Sequence, residues 1–368
     1  MFTIVAWFLQ ILVTDSTIPS VVAPATNVSL ATTPLAPPLE DKVLSWMYAG
    51  SNDDYGGQPM TRLGASLKAL LWGLFEYELA EISEIIIVEW TSVSVTQHIC
   101  DSSEMDVICR SDDKECGDLS TSEASFSVSQ VLLRVLAVNQ EQTMHHVHPP
   151  LTRMSEVHAL NAAAQRARGA FLLRLDQDTL VGPSFMRFLR AEMFASWPHI
   201  HQPWFGGRRD CDEQTSPLIT EDPVAFLLTE DDTVSSWAGS DSEHKMGGPV
   251  GVLGLPAWLW RAIRGYDESY IAWGHMELEM YNRLTYVAEV LPLSRHTDMS
   301  IPFYHLAHNK SSLTEPTRHE NSFHESIDRL GVSKVNSKTW GLASMNIPET
   351  LLNVCRFRPA GDIPNNTA

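Results

Sequence analysis

Asp176-Gln177-Asp178 places two carboxylates directly after the apolar run Phe171-Leu172-Leu173-Arg174-Leu175. On an extended chain side chains alternate, so residues two apart face one side, where a hard divalent cation can join both acids to phosphate oxygens. A second stretch offers different chemistry. In Gly247-Gly248-Pro249-Val250-Gly251 the glycines let backbone approach a ligand closely. Trp273-Gly274 presents a flat apolar ring suited to a sugar face, and Glu277 and Glu279 follow at the entrance of a helix expected to end near Leu284. Glu277 is the candidate catalytic residue. Glu279 reads as ordinary first-turn electrostatics, where acidic side chains are favoured. Ile301 to His308 reads as a strand carrying His305 and His308. Imidazoles three apart on a strand point to opposite faces, so one of them is expected to bind metal.

Strands alternating with helices must position these groups. Val43 to Ala49 reads as a strand running into the polar turn 51–57, and Leu63, Leu67, Leu70, Leu71, Leu74 and Leu79 recur at helical spacing. Ile85 to Val88 is a β-branched run suited to a strand buried on both faces, and Val131 to Val138 supplies another. Residues 155–168 read as a helix capped by Ser155 and ended by Gly169, followed by the strand 170–175 and a helix opened by Pro183. This order predicts an α/β fold with a doubly wound sheet and right-handed crossovers, whose ligands bind outside the carboxyl ends of the strands. Glu89, the 51–57 turn and Asp176/Asp178 all fall at such ends. Past Ser312 no strong periodicity is visible.

The charge balance, 26 basic against 45 acidic residues or −19 in 368, disfavours sequence-independent nucleic-acid binding. It also means that a phosphate-bearing ligand needs an intervening cation. Phe2 to Val13 is apolar but too short to span a bilayer, and residues 16–39 form an uncharged Thr/Pro/Ala-rich stalk. With sequons at Asn27, Asn309 and Asn365, these features point to the secretory pathway, with a cleaved signal or a short membrane anchor. The alternative is a cytoplasmic protein. Five cysteines leave reduced thiols and one or two loop disulfides equally open. No Gly-x-Ser-x-Gly elbow, Walker A loop or His-Glu-x-x-His helix is present, which disfavours serine hydrolases, P-loop NTPases and zinc proteases.

The joint order Asn52-Asp53-Asp54-Tyr55-Gly56-Gly57, Glu89, Asp-x-Asp, Gly265-Tyr266-Asp267-Glu268 and Trp-Gly-x-x-Glu resembles GT-A fold glycosyltransferases. The likeness is to the family 2-like inverting enzymes with a galactosyltransferase- or chondroitin-synthase-like acceptor half, over about residues 43–310. It implies a single nucleotide-diphospho-sugar transferase domain, a doubly wound mixed sheet flanked by helices. The partners implied are a nucleotide-sugar donor and a glycan or other hydroxyl acceptor, with Mn²⁺ or Mg²⁺ as cofactor. Asn52, Asp53 and Glu89 would lie near base and ribose, Asn161 would line the donor pocket, and Asp176 would hold the ribose. Asp178 and His308 would hold the metal. Gly248, Trp273 and Gly274 would meet the acceptor sugar, and Glu277 would be the base. The family places Glu-Asp where this chain has Met276-Glu277, so Glu277 stands in for an aspartate one methylene shorter. The expected organisation is an apolar segment over 1–14, a linker over 15–42, the catalytic domain over 43–312 and an extension over 313–368. A nucleotidyltransferase and a non-catalytic sugar-nucleotide or glycan-binding protein are the alternatives.

Overall fold

The computed structural model describes residues 43–50, 58–91, 99–102, 105, 126–139, 154–194, 204–211, 213–231, 252–270, 276–290, 296–308, 336 and 339–359. Strands β1 (Leu44–Gly50), β2 (Ser83–Thr91), β3 (Phe126–Asn139) and β4 (Phe171–Leu175) form a parallel centre in the spatial order β4-β1-β2-β3. Crossover helices α1 (Pro59–Glu76) and α2 (Glu156–Arg166) cover opposite faces of it. Beyond β4 the sheet turns mixed: β7 (Val252–Pro256) runs antiparallel to it, followed by β6 (Trp204–Asp210), β8 (His296–His305) and the short β5 (Thr179–Val181). The doubly wound mixed α/β sheet expected from the sequence is therefore present.

Alternation along each strand sorts its residues between two cores. Leu44, Trp46 and Tyr48 of β1 join the leucine stripe of α1 and α3 (Pro183–Phe194). There Phe185 meets Trp46 and Phe303 edge-on, at ring-centre distances of 6.2 and 4.9 Å. Met47 and Ala49 face the other way, against α2, α6 (Ala257–Ile263) and α7 (Met276–Val290). Two small helices, α4 (Ser216–Glu221) and α5 (Pro223–Asp231), pack beside α1.

Several local expectations shift. Helix α1 stops at Glu76, so Leu79 is buried from the following turn, its N–H donating to Leu74 O at 2.8 Å. Ser155 precedes α2 without capping its backbone; its hydroxyl lies 2.7 Å from His158 Nδ1. Nor does Gly169 end that helix, because Ala167 is already extended. Gly169 is required by close packing: a Cβ there would lie 2.7 Å from the Ser45 backbone nitrogen. Helix α7 runs to Val290 instead of stopping near Leu284.

The largest difference is at the C-terminus. A strand β9 (Glu349–Pro359) pairs antiparallel with β3, and Arg166 donates to the carbonyls of Gly341, Leu342 and Met345. Of the described residues beyond 312, Glu349–Pro359 is thus built into the sheet, and 341–345 is tied to α2 through Arg166. Its alternation is short: Leu352 and Val354 pack inward while Leu351 is exposed, as an edge strand with one wet face requires. Among the described residues no helix is long and apolar enough to cross a membrane. Cys100 is disulfide-bonded and Cys211 is a thiol.

Candidate metal and carboxylate site

The end of β4 carries a charge where a central strand normally has none. Leu173 and Leu175 point into the α1 core, so Arg174 points to the opposite face, in register with Met47 on one side and Leu253 on the other. Its side chain is 1 % exposed, and a guanidinium so buried must be paired. Three elements supply the partners. Glu156 opens α2, Asp176 follows β4, and Glu277 lies in the first turn of α7. Their carboxylates accept from one atom, Arg174 Nη2, at 2.6, 2.7 and 3.1 Å respectively. The Tyr266 ring lies under the guanidinium, 5.7 Å from centroid to Cζ.

The electrostatics follow from this crowding. Burial works against the Arg174 charge, but Asp176, Tyr266, Glu156 and Glu277 outweigh it and hold the guanidinium protonated. Burial, with Asp178 and Glu277 nearby, lifts Asp176 above the usual carboxylate range against the pull of Arg174. Glu156 is pushed up to about 8, chiefly by burial and then by the charges of Asp176 and Glu277, with Arg174 opposing.

The other face of the 176–178 turn belongs to a second cluster. Thr179 N–H closes the turn onto Asp176 O at 3.1 Å, and Leu306 N–H donates to Asp178 O at 2.9 Å, docking it on the end of β8. His305 Nε2 and His308 Nε2 lie 3.5 and 3.4 Å from Asp178 Oδ2. Burial alone would raise the Asp178 carboxyl; the His305 hydrogen bond, with His305, His308 and Arg62 as charges, holds it below the usual range. One ligand atom from each of the three side chains falls within 4.8 Å of the others. An ion about 2.1 Å from each donor would space tetrahedral neighbours by about 3.4 Å, so the two measured separations fit a shared cation. The reason for expecting a single histidine, that the two rings face opposite ways, does not hold: both lie beside Asp178. Strand β8 ends at His305, so strand alternation does not extend to His308.

Other expected site residues fall elsewhere or are otherwise occupied. Glu89 lies two residues before the end of its strand, opposite Gly50, but its Oε1 accepts from Ile99 N–H at 2.6 Å and holds the 99–101 turn. Asn161, expected in a donor pocket, is fully buried as a clamp. It accepts from Tyr266 N–H at 2.8 Å and donates to Tyr266 O at 2.9 Å and to Glu268 at 3.1 Å. The clamp fixes the turn in which Gly265 has φ +68°, and hence the ring beneath Arg174. Asn336 supports the same turn, donating to Arg264 O at 2.7 Å and accepting from Glu268 N–H at 2.9 Å. Glu279 is more than helix-end electrostatics: it is buried and pairs with Arg283 at 2.6 Å. Met276 lies in the apolar core, while Glu277 beside it faces Arg174. Asn52, Asp53, Gly248, Trp273 and Gly274 lie outside the described residues.

Sequence reasoning missed Arg174 and Glu156 as site residues; it named Tyr266 only within a motif and His305 only as the alternative to His308. The available signal was Arg174 itself, a cation inside an otherwise apolar strand, which demands buried carboxylate partners from other elements.

No protein-family model and no curated protein matches the chain. The fold is similar to solved glycosyltransferase structures at low identity. The catalytic domain of Drosophila beta1,4-galactosyltransferase 7 with xylobiose aligns at 10 % identity and TM-score 0.37, over 77 % of this chain and 76 % of that one. A mutant of the same enzyme with manganese, UDP-Gal and xylobiose aligns at 10 % identity and TM-score 0.37, over 80 % and 82 %. GalNAc-T7 with UDP, GalNAc and Mn²⁺ aligns at 13 % identity and TM-score 0.41, over 72 % of this chain and 43 % of that one.

Proposed function

We propose that this chain is a GT-A type glycosyltransferase that moves a hexose-type sugar from a nucleoside-diphosphate donor to an acceptor hydroxyl, with inversion and with a divalent cation. The observation that carries the reading is the back-to-back arrangement on one strand-end turn: Asp178, His305 and His308 as a three-donor set, and Glu277 held by Arg174 beside Asp176. A cation held by Asp178, His305 and His308 would supply charge neutralisation for a departing diphosphate. Two imidazoles suit Mn²⁺ better than Mg²⁺, which favours oxygen-only octahedral shells.

The chain's own groups do the rest. Glu277 accepts the proton of the acceptor hydroxyl as that oxygen attacks the anomeric carbon, and Asp176 accepts hydrogen bonds from donor hydroxyls. A single displacement from the face opposite the leaving group inverts the anomeric centre. Arg174 and Tyr266 are buried, and the Arg174 hydrogen bond orients the Glu277 carboxylate before substrate arrives. The apolar segment 2–13, the sequons and the disulfide at Cys100 support a secretory-lumen location, with that segment as a cleaved signal or a short anchor.

The test is nucleoside diphosphate release by the full chain, with a panel of nucleotide sugars and hydroxyl acceptors, in Mn²⁺, Mg²⁺ or chelator. Release is expected with Mn²⁺, weaker release with Mg²⁺, and none with chelator or in Asp178→Ala. Equal release under chelator overturns the metal role. Nucleotide-sugar binding without release across the panel favours the non-catalytic reading.

A further inference from the structure

The turn that carries Tyr266 is held by residues from far outside it. It leaves α6 through two left-handed residues in a row, Arg264 at φ +58° and Gly265 at φ +68°, a path that needs support. Asn161 of α2 binds both the N–H and the carbonyl of Tyr266. Asn336 closes the other side. Its amide donates to Arg264 O at 2.7 Å and to Tyr266 O, its Oδ1 accepts from Glu268 N–H at 2.9 Å, and its own carbonyl accepts from Arg264 Nη1 at 2.6 Å. Only a carboxamide offers two donors and an acceptor on so short a stem. The segment after it completes the enclosure. Glu268 Oε1 accepts from Gly341 N–H and from Asn161 Nδ2, and a Cβ on Gly265 would lie 2.7 Å from Trp340 Cζ3. Gly341, at φ +65°, packs so close to α2 that a Cβ there would lie 2.5 Å from Asn161 O.

We propose that Asn336 is a positioning residue for the reaction: through the 264–268 turn it sets the Tyr266 ring under Arg174, and through that guanidinium the aim of Glu277. The catalytic unit therefore runs past residue 312 and includes Asn336 and 340–345. Each link is a contact in the fold. Tyr266 is buried, and Trp260 meets its ring edge-on at 5.6 Å, so no empty space absorbs a shift of the turn. The other side of that ring carries Arg174, 5.7 Å from centroid to Cζ, and Arg174 Nη2 donates to Glu277 at 3.1 Å. The C-terminal part of the chain is anchored in the sheet by the pairing of β9 with β3, without Asn336. Four hydrogen bonds on one turn are therefore more than the anchoring of a terminus requires. The proposal rests on the transferase reading for what Glu277 does; the link from Asn336 to Arg174 is independent of it.

The experiment reads the link and the reaction separately. In the full-length protein the Arg174 Nε–H signal is followed by ¹⁵N NMR, assigned by its loss in Arg174→Lys or Arg174→Gln. Asn336→Ala should move that signal. It should also lower kcat by about 10- to 10²-fold, the scale of a misplaced catalytic group, with donor KM within about twofold of wild type. An unmoved Arg174 signal overturns the link. An unchanged kcat, or a raised KM with kcat intact, overturns the positioning role. Glu349→Gln, at the start of β9, should change neither reading; equal changes there would mean a general loosening of the C-terminal segment and overturn the assignment to Asn336. Should Asn336→Ala fail to fold, Asn336→Ser, which keeps a shorter hydrogen-bonding side chain, takes its place with the same expected directions. A wild type that turns over no donor defeats the transferase reading, and the Arg174 signal then decides the link alone.

Discussion

Two buried arginine–carboxylate clusters sit at opposite ends of the parallel strands, and they are built differently. At the amino ends, Arg134 donates to Glu84 at 2.9 Å, to Glu349 and to Arg166 O at 2.7 Å. Glu84 Oε1 in turn accepts from Ser45 Oγ and from Arg168 N–H, both at 2.6 Å. No buried side-chain atom of Arg134 or Glu84 lacks a partner. At the carboxyl ends, Arg174 has three acids on one nitrogen and two nitrogens without partners among the described residues. The first network joins β1, β2, β3 and β9 and asks nothing of solvent or ligand. Among the described residues the second is electrostatically incomplete, at the strand ends where ligands bind in such sheets. Full satisfaction marks a structural centre, and local violation of it marks a site where chemistry sets the requirement.

The comparison can be broken most sharply at Glu277. Glu277→Gln should reduce turnover by about 10²- to 10⁴-fold, the usual contribution of a general base, with little change in the urea midpoint. Glu349→Gln, at the other cluster, should leave turnover per folded molecule unchanged; equal losses from both would erase the distinction. Next in size is Arg134→Met, which strands Glu84 in the interior. It should cost about 3–5 kcal/mol of stability by urea unfolding, while the folded fraction keeps its kcat. A smaller effect is expected at the turn under Arg174. Gly265→Ala puts a Cβ 2.2 Å from Asn161 Oδ1 at a positive φ, and should cost about 1–3 kcal/mol in stability and lower kcat as Tyr266 moves.

The smallest effect is a pH dependence of stability. Glu156 has a folded pKa raised from 4.5 to about 8, so its contribution is fully present below 4.5 and is lost as pH rises through 8. The change is modest because 27 % of the side chain meets solvent. Thermal melts between pH 5 and 9 should show a decline in wild type that is absent in Glu156→Gln and unaltered in Glu349→Gln.

Much of this molecule could be read from local pattern. The β-branched run at 85–88, the leucine spacing of α1 and the order of strands and helices determined the doubly wound sheet, because strand and helix periods are properties of neighbouring residues. The same local logic put Asp176 and Asp178 at a strand end and Glu277 in a first helical turn. Tertiary structure alone decided which charges meet. Glu156 and Glu277 reach Arg174 from 18 and 103 positions away, and Glu349 reaches Arg134 from 215. It also brought His305 and His308 onto one carboxylate by ending β8 between them. The reason is physical: periodicity is written over a few residues, whereas Coulomb and hydrogen-bond energies depend on separation in space and on how much water is excluded. Sequence spacing fixes neither until the chain is folded.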